Sequence, residues 1–91
     1  MPEFLVELYV ARTDAGAVEG DAERARIGAQ QLTQEGTPVR YLRWIFVPED
    51  ETCFFLYRAA SADAVCEASR RAGLRCERVT EAVLPARGGS R

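Results

Sequence analysis

Ninety-one residues, 47% of them hydrophobic and 29% charged, describe one folded domain rather than a disordered chain. A formal charge of −2 and a pI near 5.1 supply no basic field for a phosphate backbone, so no nucleic-acid partner is expected. All twelve basic residues are arginine, and lysine, histidine and asparagine are absent. That excludes histidine triads, histidine metal boxes, Schiff-base lysines and a P-loop lysine. With the abundant alanine and glycine, it also suggests a GC-rich bacterial genome.

No stretch approaches 18 apolar residues, and "MPEFLVELYV" lacks the basic start of a signal peptide. The expected address is the cytoplasm, with no membrane partner. Cys53, Cys66 and Cys76 are odd in number and form no CxxC pair. They read as small buried hydrophobes rather than a disulfide framework or a zinc site.

Residues 3 to 10, "EFLVELYV", alternate with a period of two: Phe4, Val6, Leu8 and Val10 on one side, Leu5, Glu7 and Tyr9 on the other. The period then changes. Val18, Ala22, Ala25, Ala29 and Leu32 line one face of a helix, which Thr13 or Asp14 can cap and Gly36 can end. Gly20 and Gly28 weaken this helix, and are explained by close packing or a kink.

Pro38 breaks the chain before "VRYLRWIFV", a second strand; "PEDE" turns, and "TCFFLYRA" is the third. Ser61 is placed to cap a helix over "ADAVCEASRRA", stopped by Gly73. "RCERVTEAVL", residues 75 to 84, is the fourth strand. Its inward side is left open, since Val79 and Val83 share a parity with Glu77 and Glu81. Residues 1–84 thus make one domain, and "PARGGSR" (85–91) is expected to be a flexible tail.

Strand–helix–strand twice over is the α+β ferredoxin-like plan, βαββαβ: a four-stranded antiparallel sheet with strands 1 and 3 central and both helices on one face. The hairpin bears on what covers the other face. Pairing Val47 with Thr52 sets Ile45 opposite Phe54 and Arg43 opposite Leu56. It also sets Phe46 opposite Cys53, Trp44 opposite Phe55 and Leu42 opposite Tyr57. The Ile45, Phe54 and Leu56 side is assigned to the helices with Phe4, Val6 and Leu8. The open face would then carry Leu5, Leu42, Trp44, Phe46 and Phe55, beside Tyr9 and Tyr57. Large aromatics bury about 150–250 Å² each, and monomers rarely leave that much apolar surface in water. A homodimer, sheet against sheet, is the favoured cover, ahead of a longer C-terminal segment.

On that face Glu7, with Tyr9, Trp44 and Tyr57, is a candidate ligand pocket: a desolvated carboxyl there could serve as a general base or hold a small polar ligand. The plainer alternative is a rim acid paired with an arginine such as Arg78. Glu49, Asp50 and Glu51 offer oxygen donors for a hard divalent cation, though a calcium loop needs a longer pattern, and a solvated turn is the simpler reading. Arg70, Arg71, Arg75 and Arg78 could meet a carboxylate or phosphate, or could simply complement a helix end.

"TPVRYLRWIFVPEDETCFFLYRAASADAVCEASRRAG", with "EFLVELYVAR" before it, resembles a family of small bacterial domains of unknown function that are similar to a nickel-binding protein. The likeness spans roughly residues 3 to 83 and is most specific in "FVPEDETCFFLY". It implies a dimeric ferredoxin-like fold and nickel as a candidate ligand; no cofactor is required, and no ligand motif carries over to particular residues. Three readings follow. The first is a non-catalytic dimer with weak divalent-metal binding. The second is a small-molecule binder or cofactorless enzyme with its pocket on the aromatic sheet face, as in dimeric α/β barrels. The third is a pure interaction module.

Overall fold

The computed structural model describes residues 1–83. Its elements are β1 (Glu3–Tyr9), a 3₁₀ segment (Arg12–Ala17), α1 (Val18–Gln34), β2 (Val39–Val47), a 3₁₀ turn (Pro48–Asp50), β3 (Thr52–Ala59), α2 (Ala62–Arg71) and β4 (Val79–Ala82). The strands form one antiparallel sheet in the order β2-β3-β1-β4, with β1 and β3 central. This is the ferredoxin-like plan that the alternating periods predict. The expected tail, 85–91, lies outside the described residues.

Local chemistry sets most of the element ends. Ser61 Oγ accepts from the Ala64 N–H at 3.2 Å and opens α2. Gly36 and Gly73 take left-handed φ values of 108° and 75° just past the two helices. Thr13 and Asp14 do not cap α1. They sit inside the 3₁₀ segment, which feeds the helix directly, the Val18 N–H donating to the Ala15 carbonyl, and Ala17 holds the N-cap without a side-chain bond.

The inward face of α1 is Val18, Ala22, Ala25, Ala29 and Leu32, close to the predicted stripe. Gly28 is there for close packing: a Cβ at that position would stand 2.7 Å from the Ala68 carbonyl of α2. Helices with such small inward side chains need bulk from the sheet. Phe4, Val6, Phe55 and Tyr57 provide it, none more than 7% exposed.

That demand reverses one expectation. The hairpin register is as predicted from Val47–Thr52 to Arg43–Leu56, but its faces are exchanged. β1 pairs Phe4 with Tyr57, Val6 with Phe55 and Leu8 with Cys53, and directly opposed residues share a face. Trp44, Phe46, Phe55 and Tyr57 therefore lie on the helix side, and Ile45, Phe54 and Leu56 on the open side with Leu5, Glu7 and Tyr9. Leu42 faces no partner: a bulge between Tyr41 and Arg43 expels it from the ladder, and Tyr41 meets Tyr57 instead. In β4, Val79 opposes Val6 and packs against the core, while Thr80 opposes Leu5.

The cysteines need a second correction. Cys53 is free and buried, but Cys66 and Cys76 form a disulfide, Cα atoms 5.4 Å apart. After Gly73 the chain turns back along α2, where the Ser69 carbonyl accepts from the Leu74 N–H at 3.0 Å and Ser69 Oγ donates to the Arg75 carbonyl at 3.1 Å. Residues 75 and 76 are thereby held against the helix, and the chain rejoins the sheet at Arg78, whose carbonyl accepts from the Glu7 N–H at 3.0 Å, so β4 begins at Val79 rather than at 75.

Candidate functional site

Antiparallel pairing arranges the open sheet face in rows. Arg43, Leu56, Leu5 and Thr80 cross it in one row, and Ile45, Phe54 and Glu7 in the next. Leu56 is buried by its neighbours even here, whereas Ile45 is 48% and Tyr9 74% exposed. Charge sits around this apolar centre. Arg58 Nε meets Glu3 Oε2 at 2.9 Å, and Arg78 Nε meets Glu7 Oε1 at 3.3 Å.

Glu7 is thus half-exposed and paired with the arginine foreseen for it, in a setting that gives no desolvated general base. Its expected companions divide. Tyr9 stays on the open face, where its hydroxyl donates to Glu51 Oε1 at 3.3 Å; the Glu51 charge is the main cause of an upward shift in the Tyr9 pKa. Trp44 lies at the helix-side edge of β2, and Tyr57 is fully buried under the helices. The four residues do not form one pocket, because the bulk of Tyr57 is needed beneath α1 and α2.

The acidic turn does not converge either. Glu51, in the left-handed region at φ 49°, ties the hairpin to the end of β1: its carboxylate accepts from the Arg12 N–H at 2.8 Å and its carbonyl from the Val10 N–H at 2.9 Å. Glu49 and Asp50 are exposed. The helix-end arginines are also engaged. Arg71 donates to both oxygens of Glu35, at 2.5 and 2.6 Å, and to Glu67 at 3.3 Å, which joins the C-terminal ends of α1 and α2. Arg75 pairs with Glu77 at 2.9 Å and Arg70 with Glu67 at 3.7 Å.

Tyr41 was missed in the sequence. Its ring meets Phe55 and Tyr57 edge-on, at centroid separations of 5.9 and 5.6 Å, and neither tyrosine hydroxyl has a hydrogen-bond partner among the described residues. Burial pushes the Tyr41 phenol up to about 12 and the Cys53 thiol up to about 11, and raises Tyr57 further. The missed signal was the alanine stripe of α1, which leaves room for these rings.

The family model described as "Nickel responsive protein SCO4226-like" matches residues 9–82. The chain belongs to this family. The crystal structure of SCO4226 from Streptomyces coelicolor A3(2) is similar to this member of the SCO4226-like family with a TM-score of 0.70. The match covers 92% of this chain and 99% of that one at 21% identity, a likeness of fold. No curated protein matches the sequence.

The family description raises nickel, and the donor set here can be tested against it. Nickel favours imidazole nitrogen, and the chain has no histidine. Two of its three thiol sulfurs are spent in the disulfide, the third is buried, and Glu51 is held by Arg12 and Tyr9. Among the described residues no three histidine, cysteine or acidic side chains come together. These residues do not fit a nickel centre. Nor is any described helix long and apolar enough to cross a membrane.

Proposed function

We propose that this chain is a non-catalytic module that works as a homodimer, two copies joined through the open faces of their sheets. The observation that carries the reading is the apolar centre of that face: Leu5, Ile45, Phe54 and Leu56 side by side, pointing away from both helices. The folded unit is a slab, 37 × 36 × 19 Å, so its broad side offers more than the roughly 800 Å² per partner that a standard interface buries. A twofold axis parallel to the strands would lay β1 of each copy against β3 of the other. Apolar rows then meet apolar rows, and the glutamates of β1 approach Arg58.

Sedimentation tests this. At about 10 μM the expected mass is twice the 10.1 kDa of the chain. Ile45→Glu, at an exposed edge-strand position that the fold tolerates, should weaken association by about 100-fold or more. A wild-type chain that sediments as a monomer at about 100 μM would refute the reading.

Nickel enters only as a weak ligand of exposed carboxylates at Glu49 and Asp50. Oxygen donors alone bind such ions loosely and with little selectivity, so calorimetry should give a Kd above about 0.1 mM, with magnesium competing. A micromolar nickel constant that survives excess magnesium would overturn this.

A further inference from the structure

β2 is an edge of the sheet, and its nine residues, Val39–Val47, have β3 on one side only. The other side is a row of backbone donors and acceptors, whose direction follows from the ladder. The Val10 N–H bonds to the Glu51 carbonyl and the Glu7 N–H to the Arg78 carbonyl, so even residues of β1 turn their backbone groups toward β3 and odd ones toward β4. Even residues of β1 oppose odd residues of β3. That leaves Thr52, Phe54, Leu56 and Arg58 to bond with β2, through Val47, Ile45, Arg43 and Arg40. Val39, Trp44 and Phe46 therefore turn their N–H and C=O groups outward. Val39 is satisfied by Thr33 Oγ1, which donates to its carbonyl at 2.8 Å and accepts from its N–H at 2.9 Å. Trp44 and Phe46 have no such partner among the described residues.

Beside this edge α1 leaves a trough. Two hollows of about 320 and 550 Å³ run in line between helix and strand, with Arg26 and Tyr41 common to both. Ala22, Ala29, Leu42 and Trp44 supply apolar walls, and Glu19 and Glu23 stand on the helix side. The opposite side of the edge is basic. Arg40 and Arg43 lie on the open-face side of β2, and neither makes an ion pair among the described residues. A strand added here would meet apolar walls and carboxylates with one set of alternate side chains, and unspent guanidinium groups with the other. A second copy's β2, VRYLRWIFV, brings two more arginines and no carboxylate, so it matches poorly.

We propose that the β2 edge is a docking site for an extended peptide of another protein, one that alternates apolar and acidic residues and adds antiparallel to the sheet. Its apolar side chains lie in the trough along α1, its carboxylates meet Arg43 and, past the bulge, Arg40, and its main chain bonds to Trp44 and Phe46. The bulge after Tyr41 and the Thr33 clip at Val39 limit the regular pairing to about five residues, opposite Arg43–Val47. The edge lies beside the face assigned to the second copy, not on it, so the two readings can fail separately.

The probe is a capped heptapeptide of alternating valine and glutamate, N-methylated on its glutamates so that it cannot stack into sheets. Amide shifts of the labelled full chain follow its binding. In an antiparallel pair the residue opposite Trp44 shares its face, so the valine N–H groups bond to β2 and the glutamate ones point away. Saturable shifts are expected at residues 41–46, with slowed hydrogen exchange of the Trp44 and Phe46 amides. Moving the methyl groups to the valines should abolish both effects. Arg43→Glu, at an exposed position, should weaken the glutamate peptide about fivefold and strengthen its arginine counterpart by a similar factor. The proposal is overturned if the valine-methylated peptide binds equally well, if Arg43→Glu leaves the charge preference unchanged, or if the shifts centre on Leu5 and Phe54. It is also overturned if concentrated protein without peptide already protects the Trp44 and Phe46 amides, since a second copy would then hold the edge.

Discussion

Glycine content is ambiguous in a sequence and resolved only by what surrounds each position. Gly20 and Gly28 both lie in α1, yet a Cβ at Gly20 meets nothing within 4 Å, whereas one at Gly28 runs into the Ala68 carbonyl at 2.7 Å and the Ala72 N at 3.2 Å. Backbone on a neighbouring helix cannot move aside as a flexible side chain would. Gly28→Ala must therefore push α1 off α2, and should cost about 1–3 kcal/mol, as overpacked cores do. Gly20→Ala gains helix propensity and restricts the unfolded chain at no steric cost, and should stabilise by about 0.4–1 kcal/mol. Urea unfolding of the two variants checks both; equal effects would mean that the α1–α2 approach is not as close as described. Glu51 carries a related lesson. As one of three acids in a row it suggested a cation site, but its left-handed backbone and its bonds to Arg12 and Val10 make it the tie between hairpin and β1.

Elements were legible where periodicity was strong: the strand–helix order, the hairpin register from Val47–Thr52 as far as Arg43–Leu56, the Ser61 cap and both glycine stops follow from the residues alone. The choice of hairpin face did not, because both faces are apolar and alternation cannot rank them. What decides it is reciprocal volume, the alanines of α1 requiring Phe55 and Tyr57, which is visible only when helix and strand are read together. The Cys66–Cys76 bond was hidden by the odd count of cysteines. Yet the helix after Cys66 climbs about 1.5 Å per residue and the extended return from Gly73 covers about 3.3 Å per residue, so a few residues back suffice to bring Cys76 level with Cys66. Closing a loop of separation 10 stabilises by about 2.7 kcal/mol in the chain-entropy account. Replacing both cysteines by alanine should then lower Tm by roughly 10–20 °C for a domain of this size, and dithiothreitol should do the same to wild type. A Tm insensitive to reductant would show that the bond does not staple the segment to α2.

At the scale of the whole molecule, three titratable groups share one core, and their titratable neighbours add to the effect of burial rather than offset it. Cys53, Tyr41 and Tyr57 lie beneath the helices, and burial is the leading cause of each raised pKa. A raised folded pKa means that the native state holds its proton more tightly than the unfolded chain. Stability is therefore complete below the unfolded values, 9.0 for the thiol and 10.0 for the phenols, and is lost as pH rises toward the folded ones, about 11 for Cys53 and about 12 for Tyr41. Each group that ionises only on unfolding subtracts about 1.4 kcal/mol per pH unit, so the slope steepens once all three are engaged above pH 10. A domain at the lower end of the usual range, about 5–8 kcal/mol, should unfold cooperatively near pH 11 to 12. Tyr57→Phe separates this from general alkaline damage. It removes a buried hydroxyl that has no hydrogen-bond partner among the described residues, so stability at pH 7 should hold or rise slightly, and the alkaline midpoint should move upward. If Tyr57→Phe instead loses more than about 1 kcal/mol at pH 7, that hydroxyl is satisfied in solution and the uncompensated-core argument fails.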